Sequence, residues 1–75
     1  MTNEEIISFN IKRERKSKGY TQQAIANEIG VNLKTYNFME NKPNDYPISR
    51  LKLISDVLGI NVYRFFVGLD IPNRD

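Results

Sequence analysis

A chain of 75 residues with no cysteine and no histidine has room for one small domain. It excludes a disulfide framework and a zinc site built on Cys or His, and it suits a reducing, cytoplasmic setting. Eleven basic and nine acidic residues leave a net charge of only +2, too little to name a partner from bulk charge.

The first predicted element is a helix over about 3–18. Thr2 and Glu5 have capping-box spacing, and Glu4 and Glu5 suit the positive end of a helix dipole. This start, MTNEEIISF, is acidic, unlike a signal peptide. No apolar run approaches the ~18–20 residues of a membrane span, so no membrane association is expected. The run IKRERKSK follows. Between residues 10 and 42, Lys12, Arg13, Arg15, Lys16, Lys18, Lys34 and Lys42 outnumber Glu14, Glu28 and Glu40. Nucleic acid fits that excess, but by charge alone a solvated helix face explains it better. Lys12, Arg13 and Lys16 are therefore not assigned to DNA.

Further helices are predicted over about 22–29, 33–41, 50–58 and 62–68. Gly19, Gly30, Gly59 and Gly68 each close a helical pattern, and Thr21, Asn32, Ser49 and Asn61 stand where the next helix would be capped. Around these caps, Tyr20 with Ile25, Val31 with Tyr36, Ile48 with Leu53, and Ile60 with Phe65 have hydrophobic-staple spacing. Asn41 to Pro47 (NKPNDYP) is the one extended loop, constrained by two prolines. Strand-like alternation is absent, so the expected class is all-α, a compact five-helix domain over 1–68 with a short tail over 69–75. Its core would draw on Ile7, Ile11, Ile25, Ala26, Ile29, Tyr36, Met39, Leu51, Ile54, Val57, Leu58, Val62, Phe65 and Phe66.

The second and third helices form a unit. Ala26 is small where they would cross, and Gly30 permits the positive φ of a sharp turn. This is helix-turn-helix spacing. If Tyr36 and Met39 turn inward, then Leu33, Lys34, Asn37 and Phe38 face outward on a helix that a DNA major groove can admit.

The spacing Arg15…Gly19-Tyr20-Thr21-Gln22…Ala26…Gly30-Val31…Glu40, followed by Leu51…Ile54…Leu58-Gly59-Ile60-Asn61 and Phe65-Phe66…Gly68, resembles the Cro/repressor-type helix-turn-helix domains of phage repressors and small bacterial regulators. The resemblance runs from about Ile7 to Gly68 and implies a lambda-repressor-like fold. It also implies roles for single residues. Arg15 and Glu40 would form a partly buried structural ion pair, although each could also be a solvated charge. Leu33, Lys34, Asn37 and Phe38 would face base edges. Gln22, Asn32, Asn41 and Lys42 would hold phosphates, and Ser49 and Arg50 would open a fourth helix near the backbone.

Four departures stand out. Tyr36 replaces an aliphatic residue, so its hydroxyl needs a partner. Lys42 stands where glycine is common, and Asp45 lies in a loop expected near phosphate. Leu33 and Phe38 replace polar readers; contact with thymine methyls would account for both, and contact with protein is the alternative for Phe38.

The expected function is sequence-specific binding of a double-stranded DNA operator by a transcriptional regulator, read by the helix 33–41. The alternative is a protein-interaction module, such as an antitoxin or a regulator's partner. No enzymatic activity is expected, since His and Cys, a glycine-rich phosphate loop and clustered carboxylates are all missing. No cofactor and no metal are expected, nor a small-molecule effector within this chain. The chain ends soon after Gly68, so a homodimer would form through the domain itself, with Tyr63, Val67 and Ile71 as its interface; in a monomer Ile71 would instead fold back over Tyr63 and Val67.

Overall fold

The computed structural model describes residues 1–69. Among them are four α-helices and no strand: α1 (Asn3–Ser17), α2 (Gln22–Ile29), α3 (Leu33–Asn41) and α4 (Ile48–Leu58). Two 3-10 turns, Pro43–Asp45 and Val62–Phe66, complete the order. The all-α class matches the expectation, while the fifth helix is replaced by the second 3-10 turn.

The caps explain most boundaries. The Glu5 N–H donates to Thr2 Oγ1 at 3.1 Å, and the Thr2 N–H donates to Glu5 Oε1 at 2.8 Å, a reciprocal capping box. Thr21 accepts from the Ala24 N–H at 3.0 Å and Asn32 from the Thr35 N–H at 2.8 Å, each satisfying a donor that the first helical turn leaves open.

Two expectations fail, for local reasons. Helix α4 begins at Ile48, not after Ser49; Pro47 occupies the cap and offers no side-chain hydrogen bond. The staple moves with it. Ile48 and Leu53 are exposed, whereas Tyr46 and Leu51, in staple register with Pro47, pack against and within the core. At the C-terminal end, Asn61 Oδ1 accepts from the Tyr63 N–H at 2.9 Å and opens a 3-10 turn in place of an α-helix. Its buried side chains, Val62 and Phe65, are three residues apart, the spacing that a 3-10 turn aligns on one face. The chain is extended again at Val67.

One core joins every α-helix and the second 3-10 turn: Ile7 and Ile11, Ile25 and Ala26, Tyr36 and Met39, Leu51, Ile54 and Leu58, Val62 and Phe65. Ile29, Val57 and Phe66, expected inside, are only partly buried at its margin. Helix α1 is the central post. Arg15 on one flank reaches Glu40 of α3, while Asn10 and Glu14 on the other reach the 3-10 turn of 62–66.

Candidate nucleic-acid interface

The site rests on the α2–α3 corner. Gly30 caps α2 with φ +77°, a left-handed conformation that costs a side-chain-bearing residue free energy. The Val31 N–H returns to the Ala26 carbonyl at 3.0 Å, and the fully buried Ala26 methyl lets the helices approach closely. Asn32 caps α3 two residues after Gly30, so the turn is as short as a helix-turn-helix requires.

Helix α3 is anchored from beneath by a polar network around one carboxylate. Glu40 is fully buried. Its Oε2 accepts from Arg15 Nε at 2.8 Å and from the Tyr36 hydroxyl at 2.5 Å. Its Oε1 accepts from the second Arg15 nitrogen at 3.1 Å and from Gln22 Nε2 at 3.0 Å. Four donors thus fill the four acceptor positions of the carboxylate, and Arg15 also donates to the Tyr20 carbonyl at 3.1 Å. Among the described residues, no buried side-chain nitrogen or oxygen lacks a partner. Satisfaction of this kind is what makes a buried charge tolerable.

The network sets its own ionisation. Burial pushes the Glu40 carboxyl up, but hydrogen bonds from Arg15, Tyr36 and Gln22 and the Arg15 charge outweigh it and hold Glu40 below the ordinary carboxylate value. Burial, then the hydrogen bond to Glu40, raises the Tyr36 phenol well above its ordinary value, so the hydroxyl stays a donor. The hydrogen bond to Glu40 raises the Arg15 guanidinium.

With Tyr36, Met39 and Glu40 inward, α3 turns four expected residues outward. Lys34 and Asn37 are exposed, and Leu33 and Phe38 are 43% and 48% exposed. Around them lie Asn32 and Lys42, exposed, and Asn41, half-buried. Asn41 Nδ2 donates to the Asn37 carbonyl at 2.9 Å, which steadies the last turn. Lys42 has φ −128° and returns its N–H to the Phe38 carbonyl at 2.7 Å, so this helix end does not require glycine. Asp45 is exposed at the end of the 3-10 turn.

Gln22 departs most from its expected setting. It starts α2, yet its amide nitrogen is directed inward to Glu40. Sequence spacing gave no signal of that bond, because it depends on how far α2 and α3 close at the corner. Asn10, Glu14 and Arg64 were also missed as structural polar groups, since Arg64 lies 50 residues from Glu14 along the chain.

A family model described as helix-turn-helix matches residues 11–65, most of the chain. The chain belongs to the Cro/repressor-type helix-turn-helix family. No curated protein and no solved structure matches it. The domain is thus a member of a DNA-binding family, and the match takes in α2, the turn, α3 and α4 together with α1 from Ile11 onward. Among the described residues, no helix of this helix-turn-helix domain is long and apolar enough to cross a membrane. No group of three or more acidic, His or Cys side chains among them could hold a metal ion.

Proposed function

We propose that this domain is a transcriptional regulator that binds a double-stranded DNA operator sequence-specifically, with α3 in the major groove. The observation that carries the reading is the two-sidedness of α3. Tyr36, Met39 and Glu40 lock it from below, while Leu33, Lys34, Asn37 and Phe38 are free to meet base edges. Occupancy of the operator would then repress or activate according to where the site lies.

Phosphates would be held by Asn32, Asn41, Lys42, Gln22 and the amides at the helix starts. For Asn32, an exposed residue, the cap uses only the carbonyl oxygen and takes neither N–H of its NH2 group. Gln22 and Asn41 each commit one bond from their NH2 groups inside the protein, and a primary amide has a second N–H to offer.

Selection of sites from random duplex DNA by this chain alone is the decisive experiment. On the selected site, Lys34→Ala and Asn37→Ala should each cost ~1–3 kcal/mol and relax preference at one or two base pairs. Lys42→Ala should weaken all sequences alike and flatten the salt dependence. Enrichment of no sequence, or full binding by both α3 variants, would overturn the reading.

A two-fold dimer through Tyr63 and Val67 completes the proposal. Their side chains are 72% and 61% exposed, and paired domains reading half-sites one helical turn apart gain specificity that a single α3 lacks. Ile71, the third residue assigned to this contact, lies outside the described residues. Sedimentation of the wild type and of Val67→Glu, with and without a palindromic site, tests it; one folded monomer per site in every case would rule the dimer out. The exposed Leu33 and Phe38 favour one other reading, in which α3 meets a protein. A tight copurifying protein, together with DNA affinity insensitive to salt, would establish that reading instead.

A further inference from the structure

The outer side of α1, from Phe9 to Glu14, holds an arrangement that DNA reading does not use. Glu14 is buried, its side chain only 6% exposed, and its Oε2 is shared by two guanidinium groups. Arg13, from the same helix, approaches at 3.4 Å, and Arg64, from the 3-10 turn of 62–66, at 3.2 Å. Both arginine side chains stay open to solvent, at 45% and 60%. One turn earlier the Arg13 guanidinium lies over the Phe9 ring, 5.8 Å from its centre, and that ring is itself exposed. Asn10 fixes the seam from below by donating to the Phe65 and Val67 carbonyls, each at 2.9 Å.

We infer that Phe9, Arg13 and Arg64 form a docking site for a partner protein's acidic segment, one carrying a carboxylate beside an apolar side chain. Each arginine meets Glu14 through a single terminal nitrogen, whereas a guanidinium carries five donors in a rigid fork. The remaining donors are oriented by the bonds to the buried Glu14, and Phe9 supports one of the two groups. Such a pair suits a carboxylate bound in a forked geometry. The charge at the seam, two cations on one anion, leaves a net positive patch that an acidic residue complements. The Phe9 ring beside it offers apolar area that a phosphate backbone would not cover.

Phe9 borders a cleft with Asn41 and Lys42, but Glu14 and Arg64 lie toward the C-terminal turn, which argues against the operator as occupant. Arg15, the neighbour of Glu14, points to α3, whereas Glu14 points to the C-terminal turn on the other flank. The inference is independent of the DNA reading and stands or falls without it.

The test is a titration of the isotope-labelled full chain with a short capped peptide of glutamate, leucine and phenylalanine, followed by NMR. The Arg13 and Arg64 side-chain N–H and the Phe9 ring signals should shift together and saturably. Arg64→Gln, which leaves Arg13 on Glu14, should weaken the peptide about tenfold, the loss of one charge-assisted contact. Phe9→Ala, at an exposed position, should also weaken it, and a peptide with lysine for glutamate should not bind. Several results would overturn the site: shifts confined to Lys34 and Lys42, equal binding by Arg64→Gln, or equal binding of a peptide with serine for its apolar residues. Shifts of Phe9 that follow protein concentration alone would assign the face to a second copy. Shifts of Arg13 and Arg64 on adding random duplex DNA would assign it to phosphate.

Discussion

The two flanks of α1 use the same chemistry to opposite ends. Toward α3, one arginine meets one carboxylate with both partners removed from water, and a phenol and an amide complete the set. Toward the C-terminal turn, a buried carboxylate meets two arginines that remain in water. In the first case every donor direction is dictated by the fold, so loss of any member strands the others. In the second, solvent can replace either arginine. Burial, more than the presence of an ion pair, decides whether a charge holds a fold together or equips a surface.

The comparison is broken most severely at Glu40. Arg15→Met or Glu40→Gln should destabilise the domain by ~3–5 kcal/mol, the cost of stranding a buried partner, and in a domain this small that could be most of the total. Denaturant midpoints would show it, and the double variant should lose much less than the sum. Additive, sub-kilocalorie effects would mean that the two flanks are equivalent.

Acid should act through the same flank. The folded carboxyl of Glu40 lies below its ordinary value of 4.5. Its contribution is therefore complete above about 4.5 and is lost as pH falls through the lower folded value. Thermal melts from neutral to acid pH should show that loss in the wild type and a smaller one in Glu40→Gln; parallel curves would contradict it.

Asn10→Ala should come next. It removes both donors to the Phe65 and Val67 carbonyls and should cost ~1–3 kcal/mol. Amide exchange should quicken first in the 62–66 turn, while the α3 amides keep their protection. Loss of protection in α3 to the same degree would show that the flanks do not act separately.

Arg64→Gln sharpens the contrast at its small end. The guanidinium is more than half exposed, so stability should change by no more than ~1 kcal/mol. A larger loss in the denaturant midpoint would place Arg64 with Arg15 as a structural residue.

How far the sequence foretold this depends on whether a signal was local. Thr2 with Glu5, Thr21, Asn32 and Asn61 act as caps because a cap needs only the next few residues. The all-α class and the helix-turn-helix corner followed from those caps and from the spacing of apolar residues. Ser49 misled because a good capping residue lies one position inside a helix that Pro47 already opens. The fifth helix misled because Val62, Phe65 and Phe66 fit a 3.6-residue repeat and a three-residue repeat almost equally over so short a span. In the candidate site, outward exposure of Lys34 and Asn37 was legible from the inward pattern of Tyr36 and Met39. The inward turn of Gln22 and the roles of Asn10 and Glu14 were not. Each of the three is settled by a partner 18 to 57 residues away, in an element whose approach no local rule gives.

The bond from Asn10 to the Val67 carbonyl spans 57 residues of a 75-residue chain, and this has a kinetic meaning. Loop-closure entropy rises with the logarithm of the span, and contacts between remote segments slow folding. The α2–α3 corner closes over a few residues, so it can assemble while the two ends of the domain are still apart. The clasp at Asn10 would then form after the transition state, acting as a latch on a corner already made. Stopped-flow kinetics of Asn10→Ala should accordingly show faster unfolding at an almost unchanged folding rate; a slowed folding arm would mean that the ends meet first.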